Sequence, residues 1–198
     1  MRGKKHVATS REREIASNLS SSRAIVFLES RGYIRESLSS LFRIDPLKIP
    51  IVANPGEPPK LPPDMGHISI SHCNDALVVV WYQDRIGIDI ERSDRNFNHE
   101  NLEKKYFLED LNPLQIPSSR EEILKQWSAI EAAIKWDKGK LARDIKQWHY
   151  SKKGKNLLHK KKNINVQLTQ IDFYEWIISI AYMWENKDYD SKIICSIL

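Results

Sequence analysis

Ile86-Gly87-Ile88-Asp89-Ile90-Glu91 is the stretch whose reading decides the fold. Successive side chains of a strand point to opposite faces. Ile86, Ile88 and Ile90 therefore enter a core, and Gly87, Asp89 and Glu91 share the other face. Two carboxylates set side by side repel each other, and one has its pKa raised unless a cation lies between them. A hard divalent cation with oxygen ligands suits that need. An acidic strand end, salt-bridged to a neighbouring arginine such as Arg92, accounts for the same residues equally well.

Two more strands are predicted before this one, at His67–His72 and Ala76–Tyr82, with the third running from Arg85 to Glu91. Turns at Asn74-Asp75 and Gln83-Asp84 make the three a meander. Further upstream, Asn54 to Pro63 is too rich in proline for regular structure, and Leu47–Val52 is a short strand candidate. Ser10–Leu19 is predicted as a short helix. Ser22–Arg43 is a longer one, with Ala24, Phe27, Leu28, Ile34, Leu38 and Leu41 on one face. Downstream, Asn98–Leu111 is predicted helical and 112–117 is a break. Ser119 then caps a helix reaching Asp137, with Glu121 and Glu122 in its first turn, and Gly139 stops it. From Ile145 onward the pattern is strands joined by polar turns. Helix and strands thus come in two rounds. The expectation is an α+β fold of two similar lobes, 1–83 and 84–198, each a small, mainly antiparallel sheet packed with a long helix, joined near Tyr82 to Arg85.

The chain has 198 residues, 41% of them hydrophobic, as suits a buried core. No apolar tract is long enough to span a bilayer, and the charged start lacks the apolar stretch of a secretory signal. Cys73 and Cys195 show no metal-ligand spacing, so a reduced, cytoplasmic protein is expected. The net charge of +5 favours an anionic partner. Six lysines and no acid lie between Lys152 and Lys162, a run that reads first as a solvated hairpin.

Three further pieces carry chemistry. On the Ser119 helix, Ile123, Trp127, Ile130 and Ile134 form an apolar stripe, with Glu131 at its edge and Lys135 one turn on. Glu131 and Lys135 are either an ordinary helical ion pair or a third metal carboxylate beside a phosphate-binding lysine. Ser71 and His72 end a strand and either cap it or bind an anion. Because adjacent strand residues point apart, they are not a nucleophile pair. Arg31 and Arg35 fall within an apolar stripe, where an unpaired guanidinium is costly. Their partners are either carboxylates, such as Asp45 or Glu36, or an incoming phosphate.

Taken in order, these pieces resemble the 4′-phosphopantetheinyl transferases, in particular the longer single-chain type built as a pseudo-dimer. Arg31-Gly32-Tyr33-Ile34-Arg35 resembles the family's early arginine-bearing helix, and Gly56-Glu57-Pro58-Pro59-Lys60-Leu61 its Gly-Lys-Pro loop. Ile68-Ser69-Ile70-Ser71-His72 resembles its Asn-(Leu/Ile)-Ser-His strand. Ile86 to Glu91 is similar to its Val-Gly-(Ile/Val)-Asp-(Ile/Val)-Glu motif. Trp127 to Lys135, with Gly139-Lys140-Leu141, resembles its Trp-x-x-Lys-Glu-Ala-x-x-Lys segment and the Gly-x-Leu after it.

The resemblance implies pseudo-two-fold symmetry between the lobes and transfer of phosphopantetheine from coenzyme A to a serine of an apo acyl or peptidyl carrier protein. It implies Mg²⁺ (or Mn²⁺) on Asp89, Glu91 and Glu131, with Glu131 or a water it orients taking the serine's proton. Lys135 would bind the pyrophosphate of coenzyme A. His72, with Ser71 beside it, would contact the nucleotide phosphates. Arg31, Arg35 and Lys60 would help hold the adenosine end. A monomer acting on a carrier with an acidic helix is implied as well. Three departures stand out. Glu57 occupies a usual lysine position, where Lys60 can substitute, and Ile130 replaces the lysine before Glu131. The chain also begins at what resembles the family's first helix, without the strand and linker usual before it.

A metal-dependent nuclease is the rival enzyme. Its Glu and Lys usually lie two apart on a strand, however, not four apart on a helix, and it gives Ser71-His72 no role. A nucleic-acid-binding module would need aromatic residues interleaved with the lysines, and 152–162 has none.

Overall fold

The computed structural model describes residues 7–53, 57–73, 76–98, 100–102, 119–151, 156–183 and 194–197. Two antiparallel sheets, each packed with one long helix, make an α+β fold. Helices α1 (Ser10–Ser17) and α2 (Ser21–Phe42) come first, followed by strands β1 (His67–Cys73), β2 (Ala76–Tyr82) and β3 (Ile86–Arg92). Helix α3 (Arg120–Trp136) and the short α4 (Leu141–Asp144) lead to β4 (Trp148–Ser151), β5 (Asn156–His159), β6 (Ile164–Phe173), β7 (Trp176–Tyr182) and β8 (Ile194–Ile197). The turn at Asn74-Asp75, the break at 112–117 and most of the expected helix at Asn98–Leu111 lie outside the described residues, although 100–102 are helical. No helix among the described residues is long and apolar enough to cross a membrane.

The first sheet has the order β1-β2-β8 and the second β3-β7-β6-β5-β4. The expected meander is therefore corrected. β1 and β2 form a hairpin with His67 opposite Tyr82, but β3 leaves β2 and pairs with β7, with Asp89 opposite Ser179. The chain crosses between sheets at 83–85, and β8 returns to lie against β2, so the first sheet draws a strand from beyond residue 84. The reason lies in β3 itself. Ile86, Ile88 and Ile90 pack with Val78, Val80, Ile178 and Ile180 in a core between the sheets, while Gly87, Asp89 and Glu91 lie under α3. A strand covered on both faces is placed in the interior.

The outer face of β2 (Leu77, Val79) packs on Ile34 and Leu38 of α2. Ile25 and Val26, earlier on α2, stay exposed. The expected strand at 47–52 is instead a 3₁₀ turn at Pro46–Lys48, capped by Asp45, whose Oδ1 accepts from Leu47 N at 2.9 Å, and a single bridge from Val52 to Lys60. Prolines at 46 and 50 leave too few donors for a ladder.

Helix α3 begins as expected: the hydroxyl of Ser119 accepts from Glu122 N at 3.2 Å. It ends differently. Lys138, not Gly139, takes the left-handed conformation at φ 55°, and Gly139 N closes the turn on Ile134 O at 2.8 Å. Small side chains (Ser128, Ala129, Ala132 and Ala133) let α3 lie close on β3 and β7. Gly87 completes that approach, because a Cβ there would sit 2.0 Å from Ala132 O and 2.5 Å from Trp136 N. Both obstacles are backbone and cannot rotate away. Gly87→Ala is expected to cost about 2–3 kcal/mol, the range of core overpacking, read as a lowered urea midpoint. An unchanged midpoint would show that α3 is free to shift.

Candidate functional site

The close contact of α3 with β3 brings Glu131 and Lys135 over Asp89 and Glu91. Across the seam between sheets, β1 runs beside β3. Its Ser69 hydroxyl accepts from Ile88 N at 3.1 Å, and its Ser71 hydroxyl donates to Asp89 Oδ1 at 2.8 Å. Lys135 Nζ donates to the same Oδ1 at 2.8 Å and to Ser71 Oγ at 2.9 Å. Strand, helix and neighbouring sheet thus meet in one hydrogen-bonded triangle.

Asp89, Glu91, Glu131, Lys135, Ser71 and His72 line one cavity of about 720 Å³, together with Arg92 and Arg95. Sequence reading singled out the first six from three separate segments. Of the two readings of the strand end, the salt bridge to a nearby arginine is present for Glu91, with Arg95 as the partner, while Arg92 pairs with Asp94. Arg95 was missed, although a cation four residues past an acidic strand end is the signal that could have marked it.

The electrostatics of the pocket are unsettled by design of its neighbours. Burial, and next the charge of Asp89, push Glu131 up to about 7, with Lys135 opposing. Burial also raises Glu91, against the hydrogen bond from Arg95. Asp89 is 3% exposed, yet its Oδ2 has no hydrogen-bond partner. A buried carboxylate oxygen without a partner costs stability. A group whose folded pKa lies above its unfolded value stabilises below the unfolded value and loses that contribution as pH rises through the folded one. Chelator-treated protein is therefore expected to lose about 2 kcal/mol between pH 4.5 and 7, the burial term being discounted for partial exposure. Glu131→Gln should flatten that slope in urea titrations at several pH values. A slope unchanged by the substitution would place the titration elsewhere.

The donors fit a divalent cation in part. Asp89 Oδ2 is a buried carboxylate oxygen without a hydrogen bond, Glu131 faces the same cavity, and hard oxygen donors suit Mg²⁺ or Mn²⁺. As they stand, no three Asp, Glu, His or Cys side chains among the described residues are grouped closely enough to hold a metal. The protein's own cations, Lys135 and Arg95, sit on Asp89 and Glu91 instead.

A second, larger cavity of about 980 Å³ adjoins the first, sharing Lys135, His72 and Ile70. Arg23, Arg31, Lys60, Arg85, Lys135 and Lys138 line it, and no carboxylate among the described residues does. Arg31 lies over the Phe27 ring at 5.0 Å, and its buried Nη1 has no hydrogen-bond partner. Burial holds its pKa below the usual arginine value, with Arg35 adding to the effect and Glu12 opposing it. His67 is likewise lowered, by burial and then by Lys138 and Arg85. Lys60 reaches the rim, paired with Glu57 at 2.9 Å. Arg85, Lys138 and His67 escaped sequence reading because each sits singly at the end of an element, outside any pattern.

Arg35 is not brought to either cavity. It is 2% exposed, and its guanidinium donates to both oxygens of Glu12 (2.9 and 3.1 Å) and to the carbonyls of Pro46 (3.0 Å) and Ile49 (2.8 Å). The expected partners Asp45 and Glu36 are replaced by Glu12, which also caps α1 through Thr9. With every acceptor supplied by the protein, Arg35 ties α1 and the 46–49 segment to α2 and leaves the ligand-facing set.

Neither a protein-family model nor a curated protein matches this chain.

Proposed function

We propose that the chain transfers the 4′-phosphopantetheine group from coenzyme A to a serine of an apo acyl or peptidyl carrier protein, releasing 3′,5′-ADP. One observation carries the reading: a carboxylate pocket and a basic cleft, whose described lining residues include no carboxylate, meet at Lys135, which lines both. A polyanion with an apolar arm matches the cleft, whose walls include Phe27, Ile34, Leu61 and Leu77. Its pyrophosphate would then lie at Lys135, beside the acidic pocket. A nuclease reading explains the carboxylates but not so large an apolar share of the cleft wall.

The chemistry asks the serine oxygen to bond to the β-phosphorus as the phosphoanhydride bond to the nucleotide breaks. Lys135 would neutralise the departing oxygen, and Arg31 would hold phosphate through the Nη1 that has no hydrogen bond. Glu131, whose pKa burial raises in the metal-free protein, is the candidate to accept the serine's proton, directly or through a water it orients. When bound on Asp89 and Glu131, with Glu91 able to join them, Mg²⁺ or Mn²⁺ would supply charge neutralisation to the same phosphates. The two sheet-and-helix units, 1–83 and 84–198 with β8 crossing back, are read as halves related by a pseudo-two-fold. A monomeric protein of the reduced cytoplasm, meeting an acidic carrier helix through its +5 charge, completes the proposal.

The test is direct. Protein, coenzyme A, Mg²⁺ and a panel of apo carriers are incubated and analysed by mass spectrometry. A phosphopantetheine mass increment on one carrier serine supports the reading. No increment on any carrier, together with Asp89-dependent cleavage of DNA or RNA, would replace it with the nuclease.

A further inference from the structure

We infer that Arg95 is a built-in competitor for the divalent cation, holding Glu91 out of the ligand set and so setting the affinity of the carboxylate pocket. The inference rests on reading that pocket as a cation site, but not on which group is transferred. Three carboxylates face the cavity, and each is held differently. Asp89 offers Oδ2, buried and without a hydrogen bond. Glu131 has charge interactions with Asp89, Lys135, Glu91 and Arg95 and no hydrogen bond from a described residue. Glu91 alone is taken up by cation and donor together, through its ion pair with Arg95 and a hydrogen bond from Trp127. The three are therefore not equivalent, and Glu91 can reach a cation only by giving up Arg95.

Arg95 is built to be given up. It stands four residues past Glu91, beyond the end of β3, where Ser93 N donates to Glu175 O at 2.8 Å and fixes the turn. Its guanidinium lies over the Phe97 ring at 5.2 Å, and Arg120 faces the same ring at 5.2 Å. Phe97 thus holds Arg95 at the pocket mouth whether or not Glu91 is attached. The side chain is 39% exposed against 11% for Glu91, so the guanidinium can be released into water without becoming a bare buried charge. Lys135 lacks this freedom: it is tied to both Ser71 and Asp89 and belongs to the phosphate side of the site. Removing Arg95 leaves three buried or half-buried carboxylates beside Lys135 and Arg92, the latter paired with Asp94, and the remaining negative charge favours a divalent ion.

The experiment titrates Mn²⁺ into the full chain and reads free Mn²⁺ by electron paramagnetic resonance, with no substrate present. Arg95→Gln is expected to bind at least about tenfold more tightly than wild type, the effect of removing one unit charge from a partly solvated site. Arg95→Lys keeps the charge but loses the planar fork, and should tighten binding by a smaller factor. It also decides the matter should the glutamine variant fail to fold in thermal melts. Asp89→Asn should abolish binding. If wild type binds Mn²⁺ and neither Arg95 variant binds more tightly, this inference falls while the cation site stands. If no variant and no wild type binds, both fall.

Discussion

Asp89→Ala is expected to lower the rate of carrier modification by about a hundred- to a thousandfold, the range seen when a preorganised electrostatic group is removed. Asp89 Oδ1 is the shared acceptor of Ser71 and Lys135, and its Oδ2 is the buried oxygen left for a cation. The substitution removes both functions together: the ligand, and the anchor that aims Lys135 at the cleft. Stability should change little. Half of the carboxylate is unsatisfied in the folded protein, so deleting it also removes a cost, and Lys135, with its side chain 31% exposed, can hydrate. The pairing of lost turnover with a preserved urea midpoint is the signature. Turnover within tenfold of wild type would mean that the reacting phosphates lie elsewhere.

The second large effect is on the fold. Arg35→Ala should destabilise by about 3–5 kcal/mol, the cost of breaking one side of a buried ion pair. Glu12 would remain 7% exposed with its main counter-ion gone. Burial alone would raise Glu12, but the hydrogen bonds from Arg35 and Thr9 outweigh it and hold the pKa below 4.5. Such a depressed group contributes stability at neutral pH that is lost as pH falls below about 4.5. Arg35→Ala should therefore also remove part of the acid sensitivity. The double variant Glu12→Leu, Arg35→Met should recover much of the loss, since an apolar pair of similar volume needs no counter-charge. A coenzyme A affinity weakened in Arg35→Ala at unchanged stability would return this residue to the ligand-binding set.

Legibility of the site followed pattern. Asp89 and Glu91 were readable because strand alternation separates three isoleucines from two carboxylates within six residues. Glu131 and Lys135 were readable from their place at the edge of a helical stripe. Arg31 and Arg35 share one motif and one helix, yet diverge. Arg31 keeps a free Nη1 beside the basic cleft, whereas Arg35 is consumed by Glu12, twenty-three residues away. Nothing within the motif distinguishes them, because a long charged side chain takes whichever acceptor the tertiary fold brings near. The end of α3 shows the same limit at short range. Gly139 reads as the stop, but its missing side chain makes room for Asp144 Oδ2, 2.5 Å from where a Cβ would stand, and Lys138 takes the turn.

By itself, the sequence determined the α+β class, strands β1, β2 and β3 to within a residue at either end, the cap of α3, and the carboxylates and lysine that meet in the pocket. These depend on periodicity and capping, which act over a few residues. Only the tertiary structure decided that β3 pairs with β7 rather than β2, that β8 returns to the first sheet, and that Arg23, Arg31, Lys60, Arg85, Lys135 and Lys138 gather around one cleft. Strand partners and charge pairs are chosen among competitors of similar local energy, and the choice is made by the burial of the whole chain.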